Sequence, residues 1–259
     1  MKRFEDRVVI ITGAGRGIGQ VMALSFAAEG AKVVINEIDK EPAEETLARI
    51  KQKNGTAIVS IGSVTDREYV RSMVDRAVEE FGTVDILVNN AGITRTAMIL
   101  KMTDKEWDEV IDVNLKGVFN CTREVGRIFV RKAKENPEAR CNGKIVNITS
   151  VAGLRGTVGQ INYGAAKAGV IGMTMSAARE WGRYRVNVNA VAFGVVETRL
   201  TETIRKDPKF SELYRSEIVL GRFAEPEEVV PPVLFLASSD ADYITGEVLN
   251  VSGGLHIGF

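Results

Sequence analysis

Short runs of apolar, mostly β-branched residues alternate along the chain with longer stretches in which apolar positions return at helical spacing. The short runs are RVVII (7–11), AKVVIN (31–36), TAIVSI (56–61), VDILVNN (84–90), KIVNITS (144–150), VNVNAVA (186–192) and EVLNVSGG (247–254). Several are apolar on consecutive rather than alternate positions, the pattern of strands covered on both faces in a parallel sheet. The intervening stretches predict helices. One runs to about residue 29 and is closed by Gly30, as helix C-termini often are. A charged helix separates the second and third strands, and another precedes residue 84. A long helix covers about 104–134, and one carrying Tyr163 and Lys167 ends near Gly182. Strand–helix alternation of this kind implies an α/β fold, a doubly wound seven-stranded parallel sheet with helices on both faces.

No linker, repeat or low-complexity tract interrupts the pattern, so residues 1–259 read as one domain. Two stretches are irregular, 135–143 and about 195–226. The second follows the C-terminal end of a strand, where open α/β sheets bind ligands, and reads as a lid over substrate. A plain surface excursion is the alternative. The 135–143 stretch reads as a short insertion with no assignable role. Pro226 opens a helix that contains Pro231 and Pro232. Interior proline costs about 3 kcal/mol or more, so a bent or late-starting helix is expected there.

Composition narrows the function. Hydrophobic residues make up 45% of the chain, enough for a full core and against disorder. Lys plus Arg and Asp plus Glu balance at 34 each, so no global charge favours nucleic acid or a membrane surface. No apolar run approaches the roughly 20 residues that span a bilayer. MKRFEDR leads directly into the first strand, so no signal peptide is expected. Cys121 and Cys141 show neither metal nor disulfide-framework spacing, and reduced thiols in a cytoplasmic protein are expected. The single histidine, His256, is too few for a His-based zinc or two-His iron site, and no metal is expected. A Ser-His-Asp hydrolase would rest on His256 alone, and no G-x-S-x-G elbow is present.

Between the first strand and first helix lies TGAGRGIG, with glycines at 13, 17 and 19 spaced G-x-x-x-G-x-G. Ile18 stands where the commoner G-x-G-x-x-G spacing would put its last glycine. The physical roles carry over: Gly13 permits a tight turn, Gly17 a close approach of backbone to phosphate, and Gly19 close helix–strand packing. A helix N-terminus of this kind suits a dinucleotide pyrophosphate, as in Rossmann-type folds. Glu37 ends the second strand, where an acid can accept hydrogen bonds from the adenosine ribose and repel a 2′-phosphate. Arg16 acts in the opposite sense, since a guanidinium pairs with phosphate. The position of Glu37 favours NAD(H), with NADP(H) the alternative.

Tyr163 and Lys167 stand at i and i+4 and share a helix face. An ammonium there favours phenolate over phenol, whose ordinary pKa is about 10. A tyrosine so tuned can exchange a proton with an alcohol or ketone near neutral pH. Ser150 ends the fifth strand, thirteen positions before Tyr163. Its hydroxyl can donate to a carbonyl oxygen or cap a helix.

Taken with TGAGRGIG, these residues and NNAG (89–92), Asn114 in VNLKG, NITS (147–150), YGAAK (163–167) and YITG (243–246) closely resemble the short-chain dehydrogenase/reductase family. The resemblance covers essentially the whole chain. It implies that Tyr163 is the general acid in reduction and the base in oxidation. It also implies that Lys167 lowers the pKa of Tyr163 and binds the nicotinamide ribose, that Ser150 orients the substrate oxygen, and that Asn114 holds a water linking Lys167 to solvent. Cofactor contacts implied in the same way fall on Gly13, Arg16, Gly17, Ile18, Gly19, Glu37, Ser63, Val64, Asn90, Ala91, Gly92, Tyr163, Lys167, Val196 and Thr198. A homotetramer is implied, with the long helix and the Tyr163 helix forming one interface and the C-terminal region another.

NNAGITR, KMTDKEWDEVIDVNLKGVFN and FLASSDADYITGEVLNVSGG resemble 3-oxoacyl-acyl-carrier-protein reductases within the family. This implies a 3-oxoacyl thioester substrate, an acyl carrier protein partner that Arg127, Arg131 and Lys132 can meet, and NADPH, which conflicts with Glu37. An NAD-dependent secondary-alcohol or hydroxysteroid-type dehydrogenase is the competing activity. A turnover-less dinucleotide-binding sensor or scaffold would keep the glycine turn but dispense with the Ser150, Tyr163, Lys167 and Asn114 set. Two positions depart from the family pattern. Phe193-Gly194 replaces a Pro-Gly pair, and Phe193 is expected to border the cleft. Ser63 stands where an acid or amide often meets adenine.

Overall fold

The computed structural model describes residues 2–258. Its strands are β1 (Val8–Thr12), β2 (Lys32–Glu37), β3 (Thr56–Ile61), β4 (Ile86–Asn89), β5 (Gly143–Ser150), β6 (Val186–Phe193) and β7 (Val248–Val251). All neighbouring strands pair in parallel, in the order β3-β2-β1-β4-β5-β6-β7. The chain therefore winds outward from β1 to β3, then returns to β4 on the other side of β1. The crevice at that reversal is where doubly wound sheets take ligands.

The helices are α1 (Gly17–Ala28), α2 (Lys40–Gln52), α3 (Arg67–Phe81), α4 (Asp104–Ile111), α5 (Gly117–Glu135), α6 (Ala152–Arg155), α7 (Ile161–Trp181), α8 (Glu202–Lys206), α9 (Pro208–Glu217) and α10 (Pro226–Ala237). Successive strand residues point to opposite faces, and the core divides accordingly. Val9 and Ile11 pack with Met22 and Phe26 of α1 and Val233 and Leu234 of α10. Ile10, between them in sequence, packs with Met73 of α3 and Val125 and Phe129 of α5. Burial on both faces accounts for the unbroken apolar runs in the sequence.

Three elements differ from the sequence expectation. The long helix is divided by a π-helical turn at Asp112–Lys116, between α4 and α5. The last strand stops at Val251, and Gly253 and Gly254 then adopt positive φ. The helix from Pro226 starts on time and runs through Pro231 and Pro232 to Ala237, so no late start occurs. Proline at its first turn costs no hydrogen bond, and Glu225 and Glu228 close a capping box there. Arg222 holds both Glu228 oxygens, at 2.7 and 2.6 Å, and draws that carboxyl down to about 2. Burial of Val229, Val230, Val233 and Leu234 offsets the two amide hydrogen bonds the prolines cannot make.

Helix α1 lies against the first turn with no room for a side chain. A Cβ on Gly19 would stand 2.0 Å from the Gly13 carbonyl oxygen and 2.7 Å from Asn90 Nδ2. Gly13 itself has φ +63° and lies against the Ala91 backbone. Gly19→Ala must push α1 off β1 and open the turn, since overpacking of this kind costs roughly 1–3 kcal/mol. Expected are a lower denaturation midpoint and a large loss of dinucleotide affinity, read by urea unfolding and by quenching of intrinsic fluorescence.

Candidate active site

The C-terminal ends of β4, β5 and β6 and the N-terminal half of α7 enclose a cavity of about 150 Å³. The β5–β6 register sets Ser150 opposite Phe193, and both line it. Ser150 Oγ accepts from the Ala152 amide at 3.2 Å and lies 3.4 Å from the Phe193 carbonyl. Tyr163 is half-buried in the cavity wall, and Lys167 behind it is almost fully enclosed. The ammonium donates to the Ile148 carbonyl at 2.8 Å and lies 5.6 Å from the centre of the Tyr163 ring. Thr149 Oγ1 donates to the Lys167 carbonyl at 2.8 Å, so β5 and α7 are clipped together twice.

Burial dominates the electrostatics of this pair. It pushes the Tyr163 phenol up to about 12, with the Ser150 hydroxyl acting in the opposite direction. It pushes the Lys167 ammonium down to about 8. The expected lowering of Tyr163 by Lys167 is therefore not the outcome in this arrangement. Loss of solvent penalises both charged forms, and the lysine proton is directed at a main-chain carbonyl. Tyr163 stays a phenol through the neutral range.

Asn114 sits in the π-helical turn and is fully buried. Its Oδ1 accepts from the Ile93 amide and its Nδ2 donates to the Ile93 carbonyl, both at 2.9 Å. The side chain thus holds the loop after β4. Asn90 ties that loop to the glycine turn, since its Nδ2 donates to the Thr12 and Gly13 carbonyls at 2.9 and 3.0 Å. Thr12 Oγ1 accepts from the Asn90 and Ala91 amides. A Cβ on Gly92 would meet nothing nearer than Asn114 Oδ1, at 3.5 Å.

The glycine turn fits a dinucleotide pyrophosphate. Asp66 and Thr103 cap α3 and α4 by accepting from first-turn amides, whereas α1 has neither a side-chain cap nor an acid in its first turn. Its amide groups keep their capacity to bind an anion. Gly17 is exposed with φ +52°, and Thr198 faces it, 3.6 Å from where a Cβ would stand. Ile18, Val196 and Thr198 line the same cavity. Glu37 Oε2 accepts from the Gly15 amide at 3.1 Å, and its Oε1 accepts from the Ile38 amide at 2.9 Å. Arg16 is paired with Asp39 at 2.8 Å.

A sequence profile described as Enoyl-(Acyl carrier protein) reductase matches residues 13–256. The 3-oxoacyl-acyl-carrier-protein reductase FabG of Thermotoga maritima is 44% identical, over 98% of this chain and all of that protein. The protein of the same name from Staphylococcus aureus is 42% identical, over 96% of this chain and 97% of its own length. A protein of Agrobacterium tumefaciens, described as a 2-deoxy-D-gluconate 3-dehydrogenase and solved with NADP, superposes with a TM-score of 0.88 at 37% identity. That superposition covers 98% of this chain and 99% of the other. The chain belongs to the short-chain dehydrogenase/reductase family. It is a nicotinamide-dependent oxidoreductase acting on CH–OH groups.

Most residues expected in the site of this reductase-family chain converge on the crevice, but some are otherwise engaged. Val64 is buried against Gly117 in the core, and its carbonyl accepts from Asn120 Nδ2, so its side chain cannot face a cofactor. Ser63 Oγ is shared with Thr65 at 2.8 Å. Phe193 lines the cavity as expected while its ring, 5% exposed, packs in the core. The basic residues expected to meet a carrier protein sit in ion pairs, Arg127 with Glu124 and Asp75, Arg131 with Glu135, and Lys132 with Asp85, but Glu124 is shared with Arg67 and Arg123 and Asp75 with Arg71, so cations outnumber acids there.

Sequence reasoning missed Gly15, whose amide anchors Glu37, and Asn162. The latter's buried Nδ2 donates to the Arg95 and Glu106 carbonyls at 3.0 Å, which fixes the start of α7 one residue before Tyr163. It also missed Tyr214 and Leu255, brought to the cavity by α9 and the C-terminal segment. Arg155 joins these two parts, donating to the Leu255 carbonyl at 2.7 Å and to Glu217 at 2.5 Å. The second glycine of Gly13-Ala14-Gly15 and the Asn before the tyrosine were visible signals; the other contacts were not. No helix among the described residues is long and apolar enough to cross a membrane, and no cluster of three or more His, Cys, Asp or Glu is placed to hold a metal.

The Lys167 shift carries a sign. The folded value near 8 lies below the ordinary 10.5, so below pH 8 the fold bears the full cost of burying the ammonium. Between the two values the unfolded chain binds more protons than the native one, and stability rises with pH. Lys167→Met removes this rise. Urea unfolding from pH 7.5 to 10.5 should show wild type gaining on the order of 3 kcal/mol relative to the variant. Parallel pH profiles would exclude a depressed Lys167.

Proposed function

We propose that this protein reduces the keto group of a neutral 3-oxoacyl thioester. The observation that carries the reading is the lining of the cavity, in which Lys167 is the one charged residue. Thr94, Gln160, Val195, Leu200, Tyr214 and Leu255 give it neutral walls. A substrate with its own carboxylate, such as an aldonate, would find no cation beyond Lys167, which is engaged behind Tyr163, and would bear a desolvation cost. The two reductases named for acyl-carrier-protein substrates support the same class. An NAD-dependent secondary-alcohol or hydroxysteroid-type activity is the second reading, favoured by the position of Glu37.

In the proposed chemistry the bound nicotinamide supplies the hydride. Ser150 donates its hydroxyl proton in a hydrogen bond to the keto oxygen. Tyr163, held as a phenol by burial, transfers its proton to that oxygen as negative charge develops there. Lys167 stabilises the resulting phenolate and returns a proton to it. Asn114 contributes by fixing the 90–93 loop and, with a water, by linking Lys167 to solvent. The phenol is the form that reduction consumes, and in oxidation the same proton moves the other way. The segment about 195–226 acts as the lid, closing on substrate through Tyr214 and Leu200.

The cofactor is NAD(H), because Glu37 is held by two amides at the end of β2, where it would accept from ribose hydroxyls and oppose a 2′-phosphate. The protein is cytoplasmic and assembles as a homotetramer. An apolar groove of about 720 Å³ between α5 and α7, lined by Phe119, Val130, Met173 and Trp181, supports that assembly.

Tyr163→Phe should lower kcat by roughly 10²–10⁴-fold and leave dinucleotide affinity within a few-fold. An unchanged kcat for 3-oxoacyl thioesters would sink the mechanism, and faster turnover of a hydroxysteroid or simple secondary alcohol would select the second reading. Glu37→Ala should erase the difference between NADH and NADPH in titrations of the purified protein. A tighter fit of NADPH to the unaltered protein would transfer the preference to Arg16.

A further inference from the structure

Asp39 stands at the N-cap of α2 with extended backbone, φ −96° and ψ 126°, yet caps nothing. Asp66 and Asp207, in the same place on α3 and α9, each accept from two first-turn amides. A capping side chain ordinarily stabilises the start of a helix, so its absence calls for a cause. The Asp39 carboxylate turns instead to Arg16, 2.8 Å away across the mouth of the glycine turn. Both side chains are about half exposed. Such a pair contributes little to stability, but it decides where the one guanidinium of the turn is held and what charge it presents.

Arg16 pairs with Asp39 and not with Glu37, whose two oxygens accept from the amides of Gly15 and Ile38. A Cβ on Gly15 would stand 2.8 Å from Glu37 Oε2, so the carboxylate is seated against the turn. Lys40, next in sequence, reaches toward Glu44 on the outer side of α2. Arg16 is therefore the cation of the glycine turn that a 2′-phosphate could recruit, and the Asp39 carboxylate holds it.

We infer that Asp39 is a second determinant of dinucleotide selectivity, which excludes NADP(H) by holding the Arg16 guanidinium and cancelling its charge. This rests on the proposed preference for NAD(H) and assigns part of it to a residue other than Glu37. Asp39 does not touch the reacting atoms; it positions Arg16. Its removal changes one affinity and not the other: NAD(H) has no phosphate at the 2′ position for Arg16 to bind.

The test is equilibrium binding of NADH and NADPH, by fluorescence titration, to wild type, Asp39→Ala, Asp39→Asn and the pair Arg16→Ala/Asp39→Ala. Asn retains the ability to cap α2, so it guards against a helix that frays in the alanine variant. Both single variants should bind NADPH about tenfold tighter, with NADH within twofold, and the added Arg16→Ala should abolish the gain; tenfold corresponds to about 1.4 kcal/mol. The NADPH gain should shrink as salt rises, as expected of an exposed charge contact. NADPH affinity unchanged in both single variants, or a gain that survives loss of Arg16, overturns the inference. Glu37→Ala, measured alongside, reports separately on the NAD(H) preference. If wild type already binds NADPH more tightly, that preference fails, while the comparison with and without Arg16 still decides the part played by Asp39.

Discussion

An ammonium group almost without solvent, anchored on a main-chain carbonyl, is the constraint around which this molecule is organised. Lys167 can reach Ile148 only if α7 lies directly on β5, and Thr149 closes the gap from the other side. Helix α6 closes on the same point from the end of β5: a Cβ on its Gly153 would stand 2.7 Å from the Ala168 amide nitrogen and from the Lys167 carbonyl carbon. Close approach brings Tyr163 over the end of β5, and the same approach strips solvent from both titrating groups. Their altered proton affinities are thus a product of packing, and no nearby charge need be invoked.

A second layer of buried polar groups keeps the strand ends in register. Asn89 donates to Asn147, which donates to Thr174 on α7, so amides run across the middle of an otherwise apolar sheet. Asn90, Asn114 and Thr12 continue this at the crevice by bonding main-chain groups of the loops that leave β1 and β4. Each such bond is worth little net, but a missing partner leaves a buried polar group at a cost of about 1–3 kcal/mol. The loops are held in one conformation mainly because departing from it would strand these groups.

The sheet and the order of its helices were legible in the sequence because strands buried on both faces must be written as apolar runs, and Gly19 could be read because no other residue fits beneath the Gly13 carbonyl. The Tyr163–Lys167 pairing was legible because i and i+4 share a face whatever surrounds them. The sign of its electrostatics was not, since desolvation depends on β5, which lies elsewhere in the chain. The same holds for Val64, whose neighbour Gly117 is 53 positions away, and for the basic residues of α5, whose acidic partners Asp75 and Asp85 come from α3 and the start of β4. Asp39 was overlooked because its residue type and position both announce an ordinary helix cap, and only the fold shows its carboxylate turned away.

The π-helical turn has a bearing on how this chain can tolerate change in length. A turn of that kind holds one residue more than a regular α-helical path. Deleting a single residue from Asp112–Lys116 would let α4 and α5 join as one smooth α-helix, a local gain in regularity. The faces of α4 and α5 would keep their orientation, because the wide turn already absorbs the extra residue. The loss would fall on the turn itself: Phe129 and Val125 would stay in the core, while Asn114 would no longer be presented to Ile93. The chain spends one residue there to aim a side chain out of the helix line, and a shorter, tidier helix would keep the packing and lose the aim.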